Sequence, residues 1–195
     1  FYLMTKQKWA LFFSSLILLV FCKENMYGVT FAFGLFLLLQ KKVGMGFFLA
    51  GTSVLFFLLT TQAVIPFFSG SKYFYQANYN YLFYGNWGSN PPLIVQSAGT
   101  LEYLAKIYLP LGFLSFCHFP TLLLTFPILF QNLLSRNPFM HSTAFQYTAG
   151  LIPFVFISAI NGFHILAHKT NGRRDFRLMI LCSAAILLGS LIFAG

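Results

Sequence analysis

The chemistry in this chain is concentrated in a short charged knot, Cys22-Lys23-Glu24-Asn25, set between two apolar runs, Trp9 to Phe21 and Met26 to Leu39. Of 195 residues only three are acidic, and Glu24 is one of them. A carboxylate flanked on both sides by hydrocarbon-compatible sequence is unfavourable unless paired or hydrated, so such a residue marks a functional site by default. Glu24 could take a proton from a hydroxyl or ligate a metal. Alternatively Lys23 or another base neutralises it in a structural pair. Lys23 and Arg136 could hold a phosphate, the arginine in bidentate fashion, or could serve as anchors reaching for lipid headgroups.

A second group of candidates is aromatic. Tyr73, Tyr75, Tyr79, Tyr81 and Tyr84 recur mostly at even spacing. Each offers a stacking face and a hydroxyl suited to a sugar or lipid headgroup, and Tyr75 and Tyr79 are assigned here to lipid or phosphate binding. The same residue type also builds membrane-interface belts. His118 reads as a helix-break residue satisfied by backbone and His141 as a loop residue, because no ligand partner sits at metal spacing from either. Gln146 and Asn161 read as interhelical hydrogen-bonding residues. The sequence has no phosphate-cradling glycine motif, no nucleophile elbow and no paired carboxylates.

The elements that must position these residues are set by composition. Hydrophobic residues make up 58% of the chain and charged residues 8%. One soluble core of this size cannot hide that much apolar surface, so the chain is an integral membrane protein with membrane lipids around it. The net charge of +9 is not a nucleic-acid signature, since the bases fall between apolar runs as loop anchors do. Cys22, Cys117 and Cys182 lie singly and read as buried free thiols. The chain opens on Phe1 and stops inside an apolar run at Gly195, so residues 1–195 are expected to be one transmembrane domain belonging to a longer polypeptide.

In order, Trp9 stands as an interfacial anchor after Lys6 and Lys8. The runs on either side of the knot form either one long helix or two short ones. Met45 to Phe68 is long enough to cross a membrane. Ser69 to Tyr103 is the long tyrosine-rich extramembrane loop. Leu104 to Leu134 is interrupted by Pro110, Pro120 and Pro127, and such breaks are tolerated at membrane depth only where protein or a wet cavity satisfies the freed backbone groups. Gln146 to His168 and Leu178 to Ala194 complete about five to seven spans. The fold expected is all-α, a polytopic transmembrane helical bundle with short, proline-broken helices.

Orientation follows by parity. Lys6/Lys8, Lys41/Lys42 and Lys169/Arg173/Arg174/Arg177 all lie in the cytoplasm only if Trp9 to Gln40 and Leu104 to Leu134 each cross an even number of times. The 69–103 loop and the Arg136 to Ser142 link then share the outer side. Glu24 joins them if its two helices cross fully, and lies at intermediate depth if they form a re-entrant pair.

Three pieces carry a family resemblance: Cys-Lys-Glu-Asn opening an apolar run, Ile65-Pro66-Phe67-Phe68 before a tyrosine-rich loop, and Phe126-Pro127-Ile128-Leu129-Phe130-Gln131-Asn132-Leu133-Leu134-Ser135 followed by Gln146-Tyr147 and Ile152-Pro153-Phe154. The chain resembles, over most of its length, the C-terminal half of a bacterial family of predicted multi-pass membrane proteins of unknown function, one that is similar to GT-C glycosyltransferases. The resemblance implies a GT-C-like fold in the bacterial inner membrane. It also implies transfer of a sugar from a polyprenyl-phosphate donor at the exoplasmic face, with a divalent metal as the cofactor such enzymes can use. The catalytic positions it carries over are Glu24 and Asn25, with Lys23 and Arg136 on the phosphate. Asn25 stands where the family usually places a second acid, keeping an acceptor oxygen but not the charge. The alternative is a non-catalytic accessory subunit packed against other membrane subunits.

Overall fold

The computed structural model describes residues 1–85, 91–143, 145–168 and 184, and the regular structure among them is entirely helical. The basic loop at Lys169–Arg177 and the last expected span, Leu178–Ala194, lie outside the described residues. The chain forms two compact units, Phe1–Gln76 and Ala77–Gly195.

In the first unit the apolar run is broken at the charged knot, which decides between the two readings of that segment. Helix α1 (Trp9–Cys22) stops where Lys23 turns extended (φ −165°, ψ 146°), and α2 (Met26–Leu39) starts after Asn25. The two fold back antiparallel: the rings of Phe12, ten residues before the break, and Phe33, in the second half of α2, pack edge to face at 5.4 Å. Phe12, Leu16, Val29, Phe33 and Leu37 form the buried seam.

Helix α3 (Val43–Ser69) is the one among the described residues that is long and apolar enough to cross a membrane. Its most apolar stretch is only 22% buried, the reverse of a soluble core helix, and it turns Phe47, Phe48, Leu55 and Phe67 outward. Four shorter apolar helices accompany it, so among the described residues polar breaks and prolines leave fewer full-length spans than the apolar runs suggest. Pro66 has no N–H for the Gln62 carbonyl, and the helix accommodates it by widening into a π-helical turn at Thr60–Val64.

Helices α2 and α3 run antiparallel at close range. A Cβ added to Gly34 would lie 2.7 Å from the Ala50 backbone nitrogen, and one on Gly46 would lie 3.0 Å from the Gly34 carbonyl oxygen. Without a hydrophobic drive between helices in lipid, such small-residue seams and cross-helix hydroxyl pairs supply the association. Here Ser53 donates to Thr30 at 2.7 Å, and the hydroxyls of Tyr27 and Thr60 meet at 3.1 Å. That last contact fixes a level along α3. The knot lies level with the π turn of α3, nine residues before Ser69, or about 13 Å short of its end.

In the second unit, α4 (Ser97–Tyr108) begins inside the stretch read from sequence as loop, burying Tyr103, Ile107 and Tyr108 while Glu102 and Lys106 pair on its exposed face at 2.6 Å. The chain then passes through short 3₁₀ turns into α5 (Phe119–Leu134), tightened at Leu123–Thr125 just ahead of Pro127. Helix α6 (Ile152–His168) carries Pro153 in its first turn, where no N–H is needed. Pro120 and Pro127 likewise open their helical pieces.

The broken backbone between α4 and α5 is satisfied from α6. Ser158 donates to the carbonyls of Ser115 (2.8 Å) and His118 (3.0 Å), while Ser115 donates to the Val155 carbonyl at 2.9 Å. His118 caps the first turn of α5, its Nδ1 accepting from the Thr121 N–H. Gly162 admits the Leu114 carbonyl where any Cβ would collide with it.

The glycine seam gives a direct test. Gly34→Ala should destabilise the chain by about 1–3 kcal/mol through overpacking. Gly51→Ala, with nothing within 4 Å of the added Cβ, should be neutral or slightly stabilising. Thermal unfolding of the two variants in the same detergent measures the difference, and equal melting temperatures would contradict the close approach.

Candidate functional site

The sequence candidates divide between the units. Lys23, Glu24, Asn25 and Tyr75 belong to the first, Tyr79 and Arg136 to the second.

At the α1–α2 break the chain turns tightly, the Met26 N–H reaching the Lys23 carbonyl at 3.0 Å and the Gly28 N–H the Asn25 carbonyl at 3.0 Å. Glu24 is half-buried, and its Oε1 accepts a hydrogen bond from the Tyr73 hydroxyl at 2.9 Å. The Tyr75 ring leans on Tyr73, centroids 5.7 Å apart. So Glu24 and Tyr75, chosen separately from sequence, are linked through Tyr73. That tyrosine was one of five in the pattern, and nothing local singled it out, because its partner is 49 residues away.

Asn25 is 7% exposed, and its Oδ1 is buried with no hydrogen-bond partner among the described residues. Asparagine at a helix start normally accepts from the N2 or N3 amide. Here it makes no such bond, although it occupies the N-cap of α2. A buried acceptor left unpaired is destabilising by about 1–3 kcal/mol, so this oxygen is poised for a donor. The Lys23 Nζ is also buried at this break. The break thus gathers a half-buried carboxylate, a buried amide oxygen, a buried ammonium group and two tyrosine rings, group types that hydroxyl-rich and phosphate-bearing molecules engage. No group of three or more His, Cys, Asp or Glu side chains among the described residues could hold a metal ion.

In the second unit the tyrosines serve the end of α5. The last four carbonyls of a helix lack intrahelical partners. Tyr79 donates to the Gln131 carbonyl at 3.0 Å, Tyr81 donates to the Leu134 carbonyl at 2.8 Å, and the Ser135 N–H reaches the Asn132 carbonyl at 3.0 Å. His141 Nε2 then meets the Ser135 carbonyl at 2.9 Å. Arg136 lies over the Tyr81 ring, its guanidinium carbon 4.7 Å from the centroid, and its backbone N–H reaches the Asn78 carbonyl at 3.4 Å. Asn132, almost fully buried, donates to the Tyr103 hydroxyl (2.8 Å) and to the Tyr147 carbonyl (3.3 Å). Tyr79 thus has its hydroxyl engaged in helix capping, while Arg136 is held by stacking with its charge beside a ring face.

Burial pushes the Tyr79 phenol up to about 12, against the partial relief of its hydrogen bonds, and burial lowers the His141 imidazole below its usual value. A tyrosine harder to ionise when folded contributes stability below its free value of 10.0, and that contribution is lost as pH rises toward about 12. The melting temperature of the protein should therefore fall between pH 10 and 12, and Tyr79→Phe should flatten that fall. The same substitution should cost about 1 kcal/mol at neutral pH by leaving the Gln131 carbonyl unpaired. A Tyr79→Phe profile parallel to that of the parent would show the hydroxyl to be idle.

Residues 1–194 match a family described as "Predicted membrane protein (DUF2079)", and the chain belongs to that family. It is a helical membrane protein whose family has no established function. No curated protein and no solved structure matches it.

Proposed function

Starting from that membership, we propose that the chain is the C-terminal module of a GT-C-like glycosyltransferase of the bacterial inner membrane, working on a polyprenyl-phosphate-linked sugar at the exoplasmic face. One observation carries the reading: a half-buried carboxylate, Glu24, stands at a helix break level with the π turn of a membrane-length helix, held by a tyrosine hydroxyl at 2.9 Å. Carboxylates at such depth are kept for chemistry, and π-helical turns inside α-helices frequently mark functional sites.

In this reading Glu24 accepts the proton of an acceptor hydroxyl as the hydroxyl oxygen bonds to the anomeric carbon. The bond from that carbon to the donor phosphate oxygen breaks, and the lipid phosphate leaves with the electron pair. Tyr73 positions the carboxylate, and Asn25 Oδ1 accepts from a sugar hydroxyl. Lys23 neutralises the phosphate, and Tyr75 offers a stacking face. Removing a positioned general base typically lowers rates by about 10²–10⁴-fold.

The test uses the full-length protein in proteoliposomes with a polyprenyl-phosphate-linked hexose, measuring release of polyprenyl phosphate. Glu24→Gln should reduce turnover about 100-fold or more with an unchanged melting temperature, and Tyr73→Phe should reduce it less. Activity that survives Glu24→Gln would remove the carboxylate from the mechanism. The neutral Asn25 favours a second reading, an accessory subunit of a larger membrane complex. That reading predicts no turnover in the parent and co-purification with partner subunits.

A further inference from the structure

We propose that the lysine-rich end of the Phe1–Gln76 unit is a docking surface for the anionic headgroup of a membrane phospholipid. The antiparallel hairpin brings the start of α1 and the end of α2 to one end, where α3 also begins. Two lysine pairs, Lys6/Lys8 and Lys41/Lys42, therefore come together there, and the Lys42 Nζ sits 4.1 Å above the Trp9 ring centroid, tying the two turns to each other. Lys6, Lys8 and Lys41 are exposed. Glu24 is the only acid between Phe1 and Gln76, and it lies at the opposite end of the hairpin. The lysines thus have no carboxylate from their own unit beside them, and the charge they present must be balanced from outside.

Both turns share one geometry. The Gln7 N–H reaches the Met4 carbonyl and the Lys8 N–H the Leu3 carbonyl, and the Lys41 N–H reaches Leu38 and the Lys42 N–H reaches Leu37, all within 2.9 to 3.0 Å. This paired pattern closes a helix with a left-handed residue, a place where glycine is the ordinary choice. Gln7 takes it in the first turn at φ 56° and Lys41 in the second at φ 61°.

The occupant is an amphiphile and not a free anion because the basic end continues directly into apolar surface. Val43 follows Lys42 and is 54% exposed, and Phe47 and Phe48 one turn on are 65% and 64% exposed. A headgroup phosphate on the lysines would run its acyl chains along this face of α3. Clustered lysines and arginines at the end of a membrane helix attract anionic lipid in this way, and the lysine–tryptophan contact places an aromatic at the same level.

The experiment uses the full chain in mild detergent, offered phosphatidylglycerol and phosphatidylcholine in equal amounts, with retained lipid read by native mass spectrometry. Phosphatidylglycerol should be retained in preference by about tenfold or more, and the fourfold variant Lys6→Gln/Lys8→Gln/Lys41→Gln/Lys42→Gln should lose that preference. Lys72→Gln, which removes a lysine beyond the far end of α3, should keep it. Lys41→Gly relaxes the left-handed turn while removing one charge, so weaker retention together with an equal or higher melting temperature would separate lipid binding from folding. Excess inorganic phosphate should not displace the lipid. Equal retention of the two lipids, preference surviving in the fourfold variant, equal loss in Lys72→Gln, or displacement by phosphate would each overturn the proposal. None of these readouts depends on glycosyl transfer, so its failure would leave the transferase reading standing.

Discussion

A break in a helix releases backbone donors and acceptors that an apolar surrounding cannot satisfy, and most of the described structure of this protein answers that constraint. The chain between α4 and α5 hands its carbonyls to Ser158, and the end of α5 hands its own to Tyr79 and Tyr81. His118 takes the amide that opens α5. Pro66 is absorbed by a π turn instead of a kink left open. Serine, tyrosine, histidine and asparagine are therefore placed where the helices fail, and their partners are backbone groups more often than one another.

The first unit meets the same constraint differently. Its helices are short and closely packed, with glycines at the contact and hydroxyls paired across it. Because α1 and α2 have only 14 residues each, about 21 Å of helix, their connection cannot reach the far end of the 27-residue α3. The charged knot is consequently at an intermediate level, and Tyr73 from beyond α3 comes back to meet it. Length alone, through 1.5 Å per residue, puts the knot short of the end of α3.

Much of this was legible in the sequence because it is local. The apolar runs, the polar knot, Trp9 beside lysines and the prolines as helix openers all follow from neighbouring residues, and α3 differs from the expected Met45–Phe68 span by only a residue or two at each end. The knot's two readings could not be separated from composition, since the apolar flanks suit either. The partners of the tyrosines were not legible at all: Tyr79 and Tyr81 act on carbonyls 52 and 53 residues away, and an even spacing of aromatics carries no record of that. Helix α4 was hidden because Ser97, Gly99 and Thr100 resemble loop composition, and it is packing of Tyr103, Ile107 and Tyr108 that makes it a helix. The candidate site was half visible: Glu24 and its neighbours from charge, Tyr73 only from the fold.

The two ends of the first unit are also where local rules are broken. Asparagine is among the best residues for capping a helix, yet Asn25 leaves α2 uncapped and keeps its oxygen unpaired. Glycine is the easiest residue for a left-handed helix end, yet Lys41 is there. Neither departure is repaired by a neighbour in the same turn, and each would be removed by a single substitution. Sequences depart from local consistency chiefly at functional or strained sites. Here one departure leaves a buried acceptor unpaired at the knot, and the other adds a cation to a patch already rich in them. Unit one is polar at both ends: a carboxylate and an amide stand at the knot, and lysines at the opposite end.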